Sequence, residues 1–301
     1  MAIPEVDGAR QSEITDEQAH SFRENGLLIV RNLLAAEELE ALRRDTQVLV
    51  EEARAGRHAP GSDFRYKRHE VTGEPTPFRV EYVVDKSAAC RALLAHPFVL
   101  RSVERLQGRN FIPTWDSMVF KTEGAGVSIP WHRDVDAAQP VSPVPIFNVD
   151  FYLDEADASN CLWGVPGSNR WSGAEAQEAV ERLSRGGFGT DGATPLPMQP
   201  GDVLFHDVLV VHGSAPAQSA LRRVLYYEFR PAEVERELGP HTLEYLPLKQ
   251  RVLLACLRQR AGAAYAHGEA AYRYAPEPPP IAPAAVLETY RYPHEDYWRA
   301  G

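Results

Sequence analysis

From Phe111 to Arg230 the chain is cut into short apolar or alternating runs by Pro, Gly, Asp and Asn: "FIPTWDSMVFK", "SIPWHRDVD", "VPIFNVDFYLD", "CLWGVPGS", "GDVLFHDVLVVHG" and "RRVLYYEFR". Many short strands with turn punctuation point to a β-sandwich or jelly roll. The expected fold is therefore mainly β with flanking α-helices, the β core running over 109–231. A helical insertion interrupts it over roughly 173–185.

The flanks read as helical. Thr15 can N-cap "TDEQAHSFRENG", with Gln18 placed for a capping box and Gly26 placed to end the helix. "LLIV" (27–30) then reads as a short strand. Leu39, Leu42, Val48 and Leu49 give the next segment an amphipathic helical pattern that stops near Gly56. Residues 57–77 read as a long loop, "FRVEYVVD" as a strand, and "SAACRALLAHPFVLRSVERLQG" as a helix broken near Pro97. After Pro231 the chain returns to helical and irregular sequence, and 261–286 are rich in Ala and Pro. No internal repeat is visible. We expect one domain over 1–301: N-terminal helices and supporting strands (1–108), the β core, and a C-terminal helical or extended segment (232–301).

Composition removes several functions. With 32 Lys and Arg against 42 Asp and Glu, the formal charge of −10 offers no basic footprint for nucleic acid. Cys90, Cys161 and Cys256 are far apart and form no CxxC pair, so inert thiols are expected rather than a disulfide framework. The polar, acidic N-terminus has no secretory h-region and no run is apolar enough to span a membrane, which makes a cytoplasmic protein the expectation.

The chemistry begins at "PWHRDVD". On a strand, residues two apart share a face, so His132 and Asp134 project together with Arg133 opposite. An imidazole and a carboxylate side by side can share a metal, but two ligands hold it weakly. A second histidine would complete the 2-His-1-carboxylate set of non-haem Fe(II) oxygenases, with three positions left open. His212 in "LVVHGSAP" is the better candidate. His206 is the rival six residues earlier, and Asp207 reads as a bend between them.

Several segments in order carry a resemblance. "TDEQAHSFRENGLLIVRNLLAAEELEALR", "VFKTEGAGVSIPWHRD", "CLWGVPGSNRW" and "GDVLFHDVLVVHGSAPAQSALRR" together resemble phytanoyl-CoA dioxygenase (PhyH)-like proteins over about residues 15–230. The resemblance implies a double-stranded β-helix, a cupin-like jelly roll, whose mouth holds Fe(II) and the cosubstrate 2-oxoglutarate and uses O2. It implies His132, Asp134 and His212 as catalytic iron ligands. An arginine eleven residues after the second histidine, here Arg223, would bind the far carboxylate of 2-oxoglutarate, since a guanidinium pairs with it bidentately. Arg222 would face the other way. Ser214 matches a hydroxyl that bonds the cosubstrate, Lys121 stands at the family's lysine position, and Asn148 is a further candidate cosubstrate contact. Trp131 and Trp163 read as pocket lining or as core.

The chain departs from the pattern at Arg133, where Gln is common, at Asn169, where His is common, and at Asp150, where an apolar residue is common. No ligand is lost, and Arg133 and Asp150 are assigned to shaping the substrate site. Halogenating relatives lack the carboxylate, so Asp134 implies oxygenation: hydroxylation of an unactivated C–H bond in a small natural-product or amino-acid-type metabolite, with release of succinate and CO2. Desaturation, ring closure and ketone formation stay open. A jelly-roll metalloenzyme without 2-oxoglutarate, a non-catalytic binding protein and an oxygenase of protein side chains are the alternatives. The basic run Arg65–His69 reads as a solvated loop, with an anionic substrate as the other reading. The loop at 57–77 and the C-terminal segment look able to cover the mouth, and that segment could support a homodimer.

Overall fold

The computed structural model describes residues 3–56, 63–124, 127–135, 142–216 and 220–277. In chain order the elements begin with β1 (Glu5–Asp7), α1 (Asp16–Asn25), β2 (Leu27–Arg31), α2 (Ala36–Ala55), β3 (Phe64–Arg68) and β4 (Pro75–Glu81). Three helices follow, α3 (Val83–Lys86), α4 (Ala88–Leu94) and α5 (Pro97–Gln107), then β5 (Phe111–Lys121), β6 (Ile129–His132), β7 (Phe147–Tyr152) and β8 (Leu162–Gly164). The chain continues with α6 (Gly173–Gly186), β9 (Thr194–Leu196), β10 (Val203–Asp207), β11 (His212–Ser214), β12 (Arg222–Pro231), α7 (Ala232–Leu238) and α8 (Tyr245–Ala261).

The strands form two sheets. The larger has the order β1-β2-β10-β7-β12-β5-β4-β3, and the smaller β6-β11-β8-β9. This is the jelly roll, extended at both edges of the large sheet by strands from the first 81 residues. Side-chain parity decides what each face meets. On β7 and β12, Phe147, Val149, Phe151, Leu225, Tyr227 and Phe229 join one apolar core with α1, α2, α4, α5 and α8. The alternate residues of the large sheet face the small one: Leu27, Ile29, Tyr152, Leu204 and Val224 pack with Leu162 and Leu196. Polar residues of that inner parity, such as Asn148, Asp150, His206 and Arg222, are therefore buried between the sheets.

Local chemistry explains the boundaries that matter. Thr15 caps α1 with the reciprocal Gln18 bond, and Gly26 closes it with φ 71°. Pro97 opens α5, separating it from α4, because a ring without N–H is tolerated in a helix's first turn. The run "GDVLFHDVLVVHG" is broken at Asp207, whose carboxylate accepts from Leu209 N at 2.9 Å. β10 stays in the large sheet and β11 crosses to the small one.

Two expectations need correcting. The stretch 57–77 is not one loop: among its described residues, β3 pairs antiparallel with β4 around a turn in which His69 Nδ1 accepts from Val71 N and Thr72 N. "FRVEYVVD" is not one strand either. β4 ends at Glu81, Tyr82 takes a positive φ of 57°, and α3 begins at Val83. The three cysteines are buried and free, and no described helix is long and apolar enough to cross a membrane. Of the C-terminal segment 232–301, the described part ends at residue 277, with Tyr272 and Tyr274 packed on Phe111; residues 278–301 lie outside those described.

Candidate active site

His132 ends β6 and His212 begins β11, and the two are direct cross-strand partners with ring centroids 4.3 Å apart. Each ring is oriented by the carbonyl two residues before it: Nδ1 of His132 lies 2.8 Å from Pro130 O, and Nδ1 of His212 lies 2.9 Å from Val210 O. A carbonyl can only accept, so Nδ1 carries the proton and Nε2 presents its lone pair. Asp134 stands just past the end of β6, not on the strand, and its N–H donates to Val208 O at 3.0 Å. Its Oδ1 is 3.3 Å from His132 Nε2 and 3.6 Å from His212 Nε2. The three donor atoms lie within 4.8 Å of one another. Two imidazole nitrogens and one carboxylate oxygen on one side of a point, with open cavity on the other, fit a divalent iron with free positions.

The second carboxylate oxygen is occupied. Asp134 Oδ2 accepts from Asn148 Nδ2 at 2.9 Å and lies 3.1 Å from His206 Nε2, while His206 Nδ1 lies 2.7 Å from Asp150 Oδ2. His206 is thus a bridge behind the three clustered donors and not one of them. Burial works against charge on His206, yet Asp150 and Asp134 overcome it and raise its pKa to about 10. Burial pushes Asp150 up to about 6, against the pull of His206. For Asp134 burial would also raise the pKa, but His212, His132 and His206 hold it well below the usual carboxylate range. Burial, and then the neighbouring His132, lower His212 to about 3, which keeps it neutral as a ligand must be.

The triad opens onto a cavity of about 480 Å³. On β12 the residues of inner parity, Arg222, Tyr226, Glu228 and Arg230, line it, with Asn148, Leu162 and Ser214 among the others. Arg222 is only 1% exposed; Nη1 donates to Asn160 O, and Nε has no partner among the described residues. Ser214 Oγ is buried and likewise without a partner among them. Buried donors left unmade are costly, and an oxyanion in the cavity would satisfy both.

The expectation for Arg223 is corrected here. It lies on the other face of β12, where Nε and Nη2 each reach an Asp154 oxygen at 2.8 Å and Nη1 donates to Arg43 O at 2.9 Å. Arg223 has its guanidinium committed against α2 and does not line the cavity, whereas Arg222 does. The signal was in the strand: Leu225, Tyr227 and Phe229 share the parity of Arg223 and mark it as core-facing. Lys121 stands opposite Arg222 in register, but its ammonium donates to Ala215 O and does not line the cavity. Burial, then the charge of Arg222, lower Lys121 to about 6. Arg133 and Asp150 do not line the cavity either: Arg133 Nη2 donates to the carbonyls of Ser168 and Trp171, and Asp150 is fully buried on His206. Trp131 and Trp163 pack on Phe188 in a core beside the small sheet.

A family profile described as phytanoyl-CoA dioxygenase (PhyH) matches residues 22–224, which contain the whole triad and Arg222. The chain belongs to the phytanoyl-CoA dioxygenase family. Family members use Fe(II), 2-oxoglutarate and O2, and this chain is a 2-oxoglutarate-dependent oxygenase. It is 24% identical over 273 residues to phytanoyl-CoA dioxygenase domain-containing protein 1 of Danio rerio, covering 73% of this chain and 91% of that protein. It is 26% identical over 226 residues to a methylphosphonate hydroxylase of Gimesia maris, covering 72% and 80%. Among solved structures, EvdMO1 superposes with a TM-score of 0.58 at 29% identity, over 71% of this chain and 49% of EvdMO1, so this chain spans about half of that protein's length.

Proposed function

We propose that this oxygenase hydroxylates an unactivated C–H bond of a small molecule, of natural-product or amino-acid type, with release of succinate and CO2. The observation that carries the reading is one cavity joining His132, Asp134 and His212 to the unpartnered donors of Arg222 and Ser214. A volume of about 480 Å³ is in the range of small-molecule sites, and 2-oxoglutarate must share it.

Bound Fe(II) supplies the activation of O2, coupled to decarboxylation of 2-oxoglutarate. The chain's residues do the placing. The Nδ1 bonds of His132 and His212 fix which nitrogen faces the centre. Asn148 and His206 hold Oδ2 of Asp134, so Oδ1 is the oxygen that would be offered to iron. Arg222 binds the far carboxylate of 2-oxoglutarate, with Ser214 donating a second bond. With Asp134 available as a carboxylate ligand, bound iron would not need a halide in its place, which favours oxygenation.

The test is anaerobic. Fe(II) and 2-oxoglutarate added to the apo-protein should give a visible metal-to-ligand charge-transfer band; bound iron with no band would remove the cosubstrate from the proposal. Aerobic turnover of a small-molecule panel under ¹⁸O₂ should then give succinate and one labelled oxygen in the product. Succinate with an unlabelled, dehydrogenated product would replace hydroxylation by desaturation or ring closure.

A further inference from the structure

One wall of the cavity has no task in holding iron or 2-oxoglutarate. The β3–β4 hairpin at the edge of the large sheet brings Lys67, Phe78 and Arg79 to the lining. Lys67 Nζ sits over the Phe78 ring, 4.9 Å from its centroid, and has no hydrogen-bond or ion-pair partner among the described residues. Arg79 donates from Nε and Nη2 to Ser117 Oγ at 3.3 and 3.2 Å, and it too has no acidic partner among them.

The neighbouring cations differ. Arg65, on the same hairpin, pairs with Glu81 at 2.9 Å, and Arg230, on the same cavity, pairs with Glu228 at 2.7 Å and Glu235 at 3.3 Å. Of the cations lining the cavity, Lys67, Arg79 and Arg222 thus make no ion pair with a carboxylate among the described residues. The two lining carboxylates, Asp134 and Glu228, are already committed. One dicarboxylate cosubstrate on iron and Arg222 does not use the other two. This surplus is local, because the whole chain carries −10. Burial, then the charge of Arg79, lower the pKa of Lys67, and an anion placed between the two cations would relieve that repulsion.

We propose that Lys67 and Arg79 form the substrate's anion subsite: the primary substrate carries a carboxylate, phosphate or phosphonate that these two side chains hold. Phe78, Trp115 and Val119 line the cavity with them and supply an apolar wall for the adjoining carbon skeleton. The anion then fixes which C–H bond of the substrate faces the triad. The subsite rests on the reading of this cavity as a 2-oxoglutarate oxygenase site. It also reverses the solvated-loop reading of Arg65–His69 at Lys67, which the hairpin turns inward.

The test uses the full chain loaded anaerobically with Fe(II) and 2-oxoglutarate, so that Arg222 is occupied. Phenylacetate, phenylphosphonate and the uncharged phenylacetamide are titrated by calorimetry, together with the Lys67→Gln/Arg79→Gln double variant. At least one anion should bind tenfold or more tighter than the amide. The double variant should lose that preference while its charge-transfer band keeps the wild-type 2-oxoglutarate midpoint, which also reports that it is folded. Lys67→Arg should keep the preference. Carboxylate against phosphonate decides which oxyanion is preferred. Equal binding of amide and anions, no binding of any probe, or an anion preference that survives the double variant overturns the proposal. A variant that loses the 2-oxoglutarate midpoint also overturns it, by assigning the pair to the cosubstrate. No band in the wild type sinks the oxygenase reading instead, and an anion preference of the metal-free protein separates the two failures.

Discussion

Arg222 and Arg223 are chain neighbours whose guanidinium groups end on opposite sides of the large sheet. Arg222 lines the cavity with a free Nε, and Arg223 grips Asp154 with two bonds of 2.8 Å. One is poised for a ligand, and the other is already spent on the protein's own carboxylate.

The two substitutions should therefore fail differently. Arg222→Ala removes a charge-assisted partner of about 1.5–3 kcal/mol, so the 2-oxoglutarate midpoint of the charge-transfer band should weaken by about 10- to 100-fold. Arg223→Ala should leave that midpoint near wild type. It removes two charge-assisted bonds from partly buried Asp154, which keeps the backbone N–H of residue 223 at 2.9 Å and Arg43 at 3.7 Å, so the cost in a urea unfolding curve should be about 1.5–3 kcal/mol. The reverse pattern would return the cosubstrate to Arg223.

The same pair shows what was legible and what was not. Signals confined to a few residues could be read directly: Thr15 with Gln18 and Gly26, the break at Pro97, and the bend at Asp207 all act through local backbone bonds. His132, Asp134 and His212 were legible from residue type and motif order. Counting from His212 selected Arg223, whereas alternation along Leu225, Tyr227 and Phe229 orients it to the helices. The β3–β4 hairpin was hidden because Pro75, Pro77 and a cluster of basic side chains imitate a loop; pairing of β4 with β5 makes it a strand. The bridge from Asp150 through His206 was hidden for a different reason. Its partners come from β7, β10 and the end of β6, and no local pattern encodes such a contact.

That bridge gives a prediction for iron. Asn148 and His206 fix Asp134 through Oδ2, so removing either should loosen a ligand without deleting one. His206→Gln should lower Fe(II) affinity by about 10- to 100-fold in a direct metal titration. Asn148→Ala, which leaves the His206–Asp150 pair in place, should have a smaller effect. Wild-type affinity in His206→Gln would reduce the bridge to a packing role.

Lys121 sets a pH dependence of stability. Burial and the charge of Arg222 bring its amine from the usual 10.5 to about 6 in the folded chain. Between those values the unfolded state holds a proton that the folded state lacks, so this group makes stability rise with pH across that window. As pH falls from about 10 towards 6 the contribution is lost. Lys121→Met removes the slope. Its urea midpoint should exceed the wild type's most clearly near pH 6, and the gap should close towards pH 10. A constant gap would mean that Lys121 titrates near its ordinary value.

Gly26 ties the end of α1 to His212. It sits at φ 71°, its carbonyl accepts from Asp207 N at 2.8 Å, and a Cβ placed on it would meet Val210 Cγ2 at 2.4 Å. Val210 is the residue whose carbonyl orients the His212 ring. Gly26→Ala thus combines a left-handed penalty of roughly 1–2 kcal/mol with a push on the segment that aims a metal ligand. Gly56→Ala is the matched control, because Gly56 has φ 65° and a Cβ added there would meet nothing within 4 Å among the described residues. Both variants should lose stability in urea, Gly26→Ala more. Only Gly26→Ala should weaken Fe(II) binding, and equal iron affinity in the two would show that Val210 absorbs the displacement without turning His212.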